Sequence, residues 1–184
     1  KIAAVCCARS VVFPPAFYLG DSSDVVLAKV INNLEQVRGE LQALGISVVL
    51  RPELTGKGSQ FGSLDELLVV SAAVEGVLPC IDFGHLHARS GGAFNTYQEF
   101  CTVLRCMEER LGRSALENVH FHVSGINYGP KGERNHLLLD ESDFNYQDLL
   151  RAFKAYAVKG LVICESPNIE EDALRLQACY DALN

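Results

Sequence analysis

The chain has 184 residues, which is enough for one domain with its own core, and 48% of them are hydrophobic. No apolar run approaches the roughly 20 residues of a membrane-spanning helix, and residues 1–20 lack the pattern of a signal peptide. The net charge of −7 argues against a surface that coats nucleic acid, although a local site with bound cations would reverse the sign.

Apolar runs and helical patterns alternate along the chain. Short apolar runs predict five strands: Ile2–Cys7, Ile46–Leu50, Val77–Asp82, Val119–Val123 and Leu161–Cys164. Helical spacing predicts five helices: Val25–Leu44, 65–75, Thr96–Leu111, Tyr146–Val158 and Ile169–Leu183. The first of these helices has its apolar stripe at Val26, Val30, Leu34, Val37 and Leu41, and Gly45 ends it. This alternation predicts an α/β fold with a parallel sheet, in a single domain over residues 1–184.

The connections differ in length according to what they follow. Long polar loops follow the strands, at 8–23, 51–63, 83–95 and 124–145, whereas the turns after helices are short and often contain a single Gly. This asymmetry is typical of α/β proteins whose functional site lies at the carboxyl ends of the strands.

The seven cysteines are an odd number and include no C-x-x-C pair. Several of them, such as Cys80 and Cys164, lie in apolar runs. Buried thiols in a reducing compartment explain this pattern better than a disulfide framework, so we expect a cytoplasmic protein.

Four successive predicted strands present a metal-binding type of side chain at the same topological position. Glu53, Asp82, His122 and Glu165 are these residues. Each alone is more often a solvated loop residue or a packed core residue, but the repetition on four strands favours a shared site. Carboxylates and imidazoles are the ligands of zinc, manganese, iron and cobalt, and three adjacent carboxylates would repel one another without a cation.

All five histidines fall within residues 85–136. His120 and His122 alternate to the same strand face, and His122 is the better ligand because it lies nearer the strand end. His120, one layer deeper, is predicted to pack or to support the site. His87 has no predicted partner.

With these residues in place, the chain resembles the endonuclease IV family within the xylose isomerase-like TIM-barrel superfamily. The resemblance spans essentially the whole chain and rests on an ordered set of motifs: Phe17-Tyr18-Leu19-Gly20, Glu53-Leu54-Thr55-Gly56-Lys57, Asp82-Phe83-Gly84-His85, His122-Val123-Ser124-Gly125, Gly132-Glu133-Arg134-Asn135-His136 and Glu165-Ser166-Pro167.

The resemblance implies a TIM (β/α)8-type barrel, of which this chain would contain about five units that correspond to strands four to eight. An open partial barrel with two sheet edges is the expectation. The remaining strands would come from a preceding segment or from another chain, unless the chain is a degenerate remnant; a start without Met, inside an apolar stretch, fits the interior of a longer protein.

The family holds up to three metal ions, usually zinc, which activate water and bind the scissile phosphate. By resemblance, Glu53, Asp82, His122 and Glu165 bind one metal, Glu53 bridges to a second, and His85 and His136 bind a third. The chain departs from the pattern at Pro14, where the family has a histidine. It departs again at Arg134, where the family has an aspartate, with Glu133 one residue away.

The resemblance therefore implies a metal-dependent phosphodiester hydrolase that acts on DNA with abasic sites. The alternative is a single-metal sugar isomerase or epimerase of the same superfamily, in which Glu53 and Glu165 are the catalytic residues that transfer the proton. A third possibility is a decayed, non-catalytic binding protein. His85 and His136 favour the hydrolase, because two independent loops supply matching residues. In an isomerase His85 would support a metal ligand or contact a sugar hydroxyl, and the simplest alternative is that it only hydrogen-bonds Asp82 and orients the carboxylate.

Overall fold

The structure, a computed structural model, describes residues 1–183. The backbone forms two compact units, one of residues 1–55 with 59–80, the other of residues 56–58 with the chain from Ile81 onward. The single domain expected from the sequence stays a prediction.

The first unit contains three helices and four short strands. In chain order they are α1 (Ile2–Val5), β1 (Ser10–Phe13), β2 (Ala16–Phe17), α2 (Ser23–Ala43), β3 (Val49–Pro52), β4 (Gln60–Phe61) and α3 (Leu64–Ala73). β1 pairs with β3 in parallel, and β2 pairs with β4 antiparallel. Parallel bridges join Leu50 to Val77 and Glu53 to Cys80.

The predicted first strand is wrong. Ile2–Val5 is a short helix whose Ile2 and Val5 side chains are 82% and 85% exposed, and the strand lies at Ser10–Phe13, within the predicted loop. The β-branched and aromatic residues there suit an extended backbone, and they find a partner in β3. The predicted strand Ile46–Leu50 is correspondingly shifted to Val49–Pro52.

Helix α2 is confirmed within two residues of its predicted start. Ser22 precedes it, and Gly45 follows it with φ +64°, a conformation that a glycine adopts without strain. Val26, Val30 and Leu34 are buried in the core with Leu50, Phe61 and Val70. Val37, predicted on the same stripe, is 42% exposed because it lines a surface groove instead.

The second unit contains a three-stranded parallel sheet and a hairpin. Its elements are β5 (Ile81–Asp82), α4 (Phe83–Arg89), α5 (Tyr97–Leu111), α6 (Arg113–Leu116), β6 (Val119–Val123), β7 (Gly125–Gly129), β8 (Gly132–Leu137), a 3-10 turn (Leu139–Glu141), α7 (Tyr146–Ala155), β9 (Gly160–Cys164) and α8 (Glu170–Ala182). The parallel order is β5-β6-β9, and β7 pairs with β8 antiparallel.

Several sequence-predicted elements are confirmed here and others are corrected. β6 has the predicted bounds, and β9, α5 and α8 agree within one residue. Only Ile81–Asp82 of the predicted third strand joins this sheet. The predicted helix Tyr146–Val158 ends at Ala155, because Ala157 takes φ +47° and breaks the helical repeat.

The two predicted loops of this unit contain regular structure. Residues 83–89 form α4, because the Asp82 side chain caps the helix by accepting a hydrogen bond from the His85 backbone N–H at 2.7 Å. Residues 125–137 form the β7–β8 hairpin, in which Gly129-Pro130-Lys131-Gly132 makes the reversal.

Phe83 anchors the core of this unit directly beside the strand end. Its ring meets those of Phe100, Phe121 and Phe153 edge-on, with centroids 5.9, 5.2 and 5.5 Å away. Because Phe83 is fully buried, its neighbours Asp82 and His85 are held in fixed positions at the start of α4.

No helix within residues 1–183 is long and apolar enough to cross a membrane. The seven cysteines, all within that range, are free thiols. This agrees with the expected absence of a disulfide framework, and the cellular compartment stays a prediction.

Candidate metal centre

Three of the predicted ligands come together at the carboxyl end of the β5-β6-β9 sheet. Asp82 ends β5 and pairs in register with His122 of β6, and Glu165 follows β9 directly. The His122 Nδ1 atom lies 3.3 Å from Glu165 Oε2 and 3.9 Å from Asp82 Oδ2. Parallel strands end at one edge of a sheet, which explains why residues so distant in the sequence share one cluster.

The side chains of this cluster are largely buried, so their charges need partners. The Asp82 side chain is fully buried, that of His122 is 8% exposed and that of Glu165 is 31% exposed. Buried charges are costly unless they are paired or coordinate a metal. The hydrogen bond with His122 lowers the pKa of Glu165, partial burial opposes the shift, and nearby His136 and His85 add to it. Glu165 is therefore a carboxylate at neutral pH, which is the form that binds cations.

His85 and His136 form a second group next to the first. His85 lies in the first turn of α4 and His136 lies on β8, and their Nε2 atoms are 3.4 Å apart. The Nδ1 of His85 faces Asp82 Oδ2 at 3.3 Å, and the Nδ1 of His136 lies 3.0 Å from the backbone oxygen of Glu165. Each Nδ1 therefore faces an acceptor, and with the ring proton on Nδ1 the two Nε2 atoms would present their lone pairs to one another.

Two facing lone pairs repel unless a proton or a cation lies between them. Around a tetrahedral zinc with bonds of about 2.0–2.2 Å, neighbouring ligand atoms are roughly 3.3–3.6 Å apart. The Nε2 separation of His85 and His136, and the separation of His122 from Glu165, have this spacing. The residues present thus fit divalent metal in both groups.

Glu53 belongs to the first unit. It follows β3, and its backbone N–H donates to the Phe13 oxygen at 2.9 Å. Its predicted roles as a metal ligand and as a proton-transferring group stay predictions. Pro14, at the position of the family's histidine, follows β1 and has no side-chain donor atom.

The two remaining histidines, His87 and His120, are buried and contact neighbouring side chains or backbone. His87 is fully buried, with Nδ1 2.8 Å from the Ala93 oxygen and Nε2 3.2 Å from Asp143 Oδ1, which supplies the partners that the sequence did not indicate. Burial raises the pKa of Asp143, but hydrogen bonds from Tyr128 and His87 outweigh it and lower the value. His120 is buried with its ring 5.3 Å from that of His122, as predicted for the deeper position.

The sequence did not predict Glu133 as a site residue. Its Oε2 atom is 3.6 Å from the Nε2 of His85. The only signal was its place in the Gly132–His136 motif. The register of β8, which brings Glu133 close to His85, cannot be predicted from the types of the residues.

The model of the xylose isomerase-like TIM-barrel family matches residues 1–182, so the chain belongs to this family. An uncharacterized protein of Methanocaldococcus jannaschii is 46% identical over 177 residues, which are 96% of this chain and 64% of that protein. The fold is accordingly a mixed α/β TIM-barrel fold, and a closed barrel is not seen among the described residues.

Solved structures with a similar fold belong to proteins with different activities. Endonuclease IV from Thermus thermophilus superposes with a TM-score of 0.65 at 20% identity, over 98% of this chain and 63% of that one. The 3-keto-D-glucoside 4-epimerase YcjR of E. coli gives 0.57 at 16% identity, over 97% of this chain and 65% of that one. The chain thus spans less than two thirds of each of these relatives.

Proposed function

We propose that this chain carries the metal centre of a phosphodiester hydrolase that resembles endonuclease IV and acts on DNA at abasic sites. The observation that supports it is the meeting of His85 and His136, whose Nε2 atoms face each other at 3.4 Å beside the cluster of Asp82, His122 and Glu165. The proposal thus assigns two adjacent cation sites to this unit.

Two adjacent cation sites are typical of enzymes that hydrolyse phosphodiesters. Bound divalent metals activate a water molecule and stabilise the charge of a phosphate. In this assignment Asp82, His122 and Glu165 hold one ion. His85 and His136 hold a second ion. Asp82 lies between the groups, with Oδ2 3.3 Å from His85 and 3.9 Å from His122.

The proposed metals also resolve a conflict of charge. A chain of net charge −7 repels a phosphate backbone at long range. Divalent cations at the strand ends would give a local positive field, so that binding concentrates on one phosphate. We favour zinc because imidazole and carboxylate are its common ligands, with manganese, iron and cobalt as alternatives.

The second candidate is a single-metal sugar isomerase or epimerase. The cluster of Asp82, His122 and Glu165 on adjacent strands favours it, because one metal there is sufficient to polarise a carbonyl. Glu165 would then be a proton-transferring glutamate of this unit. In this case His85 and His136 hold no metal.

Three measurements on the purified protein separate the two candidates. They are metal analysis, incision of a duplex oligonucleotide with one abasic site, and epimerisation of ketosugars. We expect His85→Ala to lose metal and incision together, whereas Arg105→Ala, at an exposed position of α5, keeps both. Unchanged metal content in His85→Ala with turnover of a sugar would contradict the hydrolase. Absence of bound metal in the wild-type protein would indicate a non-catalytic remnant.

A further inference from the structure

We propose that Glu133 is a carboxylate ligand of the His85–His136 metal site, beside Asp82, and that a β-bulge at Arg134 brings it there. This inference rests on the proposed function for the presence of that metal. It concerns a residue outside the ligand set that the sequence suggests, at a place where the sequence motif offers an arginine.

The strand register of the β7–β8 hairpin shows that there is a bulge at Arg134. Asn127 pairs with Asn135, but the next residue, Tyr128, pairs with Glu133, so Arg134 is the extra residue of a bulge. In a regular strand, side chains two apart share a face, and Arg134 would lie on the side of His136. The bulge shifts the alternation of side chains by one residue, so that Glu133 and not Arg134 lies on the same side of the hairpin as His136.

The side-chain positions agree with this shift. The Oε2 of Glu133 lies 3.6 Å from His85 Nε2, and the Nε2 of His136 lies 3.4 Å from the same atom. Arg134 is exposed, and its guanidinium lies over Gly129 on the other strand of the hairpin. His85 Nε2 therefore has a carboxylate oxygen of Glu133 and an imidazole nitrogen of His136 within the spacing of ligands that share one ion. The Asp82 carboxylate also lies within 4.8 Å of the ligand atoms of His85 and His136.

Two glycines hold Glu133 in this position. The Glu133 N–H donates to the Gly56 oxygen at 2.9 Å. A Cβ on Gly56 would come within 2.5 Å of the Glu133 Cβ, 2.6 Å of its Oε2 and 3.1 Å of the His85 ring. Gly132, at φ +91°, passes so close to Gly56 that a Cβ would lie 2.2 Å from its oxygen. A side chain at either position would push the carboxylate from His85.

The chemical consequence is a charged ligand set. Two neutral imidazoles alone bind a dication without compensating its charge. Glu133 adds one negative charge to that of Asp82, and two histidines with one glutamate are a common set for a metal that keeps an open position. Arg134 at the family's aspartate position is then compatible with this site.

Zinc titration by calorimetry, with metal counted after dialysis, tests the proposal. Glu133→Gln keeps the shape and removes the charge. We expect it to weaken the His85–His136 zinc at least about 10-fold, since even partners outside the coordination shell cost about 10–100-fold. Arg134→Ala is the matched control and should bind as the wild type does. Gly56→Ala should weaken the same zinc with Glu133 present.

The outcomes separate this inference from the function on which it rests. If His85→Ala loses zinc and Glu133→Gln binds it as tightly as wild type, Glu133 is not a ligand and the proposed function stands. If both variants keep all zinc, the proposed function fails as well. Circular dichroism reports folding, and Glu133→Ala, which removes the carboxylate, replaces the Gln variant should that one unfold. Wild-type zinc affinity in Glu133→Ala and Gly56→Ala would overturn the proposal.

Discussion

Glu66 in the first unit and the pair Asp82 and Glu165 in the second unit are carboxylate centres that are built differently. In the first unit, Glu66 accepts hydrogen bonds from the Tyr18 hydroxyl at 2.7 Å, the Ser23 hydroxyl at 2.5 Å and the backbone N–H groups of Gly62 and Ser63 at 3.0 and 2.9 Å. In the second, Asp82 and Glu165 have imidazole nitrogens at 3.3–3.9 Å as neighbours.

The difference separates a structural carboxylate from a cation-binding one. Burial alone would raise the pKa of Glu66, but the donors of Ser23, Gly62, Tyr18 and Ser63 outweigh it and lower the value to about 2. Hydroxyls and amides satisfy this group without any ion. Imidazoles satisfy a carboxylate only with a proton, and their lone pairs favour a metal instead.

The largest expected effect concerns Glu165. Glu165→Gln removes a proposed ligand, so we expect incision to fall by more than about 100-fold, the upper end of the loss when a residue that merely supports a ligand is removed. Metal content should fall with it, whereas Glu66→Gln should leave metal content unchanged. Metal loss in both variants would erase the distinction between the two centres.

Glu66→Gln should instead lower the free energy of unfolding at pH 7, by about 1–3 kcal/mol, because it weakens charge-assisted hydrogen bonds in a partly screened setting. The folded pKa lies below the ordinary value of 4.5, so this contribution is complete above that pH and is lost as the pH falls towards 2. Urea unfolding of wild type and variant at about pH 7 and about pH 3 measures it. An equal difference at both pH values would contradict the assignment.

A smaller effect is expected at Asp143. Its side chain is 60% exposed and joins Tyr128 to His87. Its lowered pKa means that it stabilises the fold above its ordinary pKa and loses this contribution in acid. Asp143→Asn should cost less than about 1 kcal/mol at pH 7 because solvent screens the pair. Metal titration of this variant should match the wild type, and a lost metal would place His87 in the site.

The sequence predicted what depends on short-range pattern and on the repeated alternation of strands and helices. The run Val119–Val123 is bounded by polar residues, so its strand appears with the predicted limits. The meeting of Asp82, His122 and Glu165 followed from parallel strands that end at one edge. The motif resemblance indicated the xylose isomerase-like family, which the family match confirms.

What failed depends on partners distant in sequence. Ile2–Cys7 has strand-forming residues, but Ser10–Phe13 is the segment that pairs with β3. Asp82 marked a strand end, and its second role as a helix cap turned the predicted loop 83–95 into α4. The position of Glu133 depends on a bulge and on backbone contact with Gly56, neither of which a motif encodes.

The cap at Asp82 ties chemistry to local folding. Oδ1 accepts from the His85 N–H at 2.7 Å, which leaves Oδ2 to face the imidazoles. A metal that binds Oδ2 holds the same carboxylate that starts α4, so occupancy should slow hydrogen exchange at the His85 amide. Asparagine at this position could keep the cap while it loses the charge, whereas alanine would remove both. The first turn of α4 is thus a built-in reporter of whether the metal is bound.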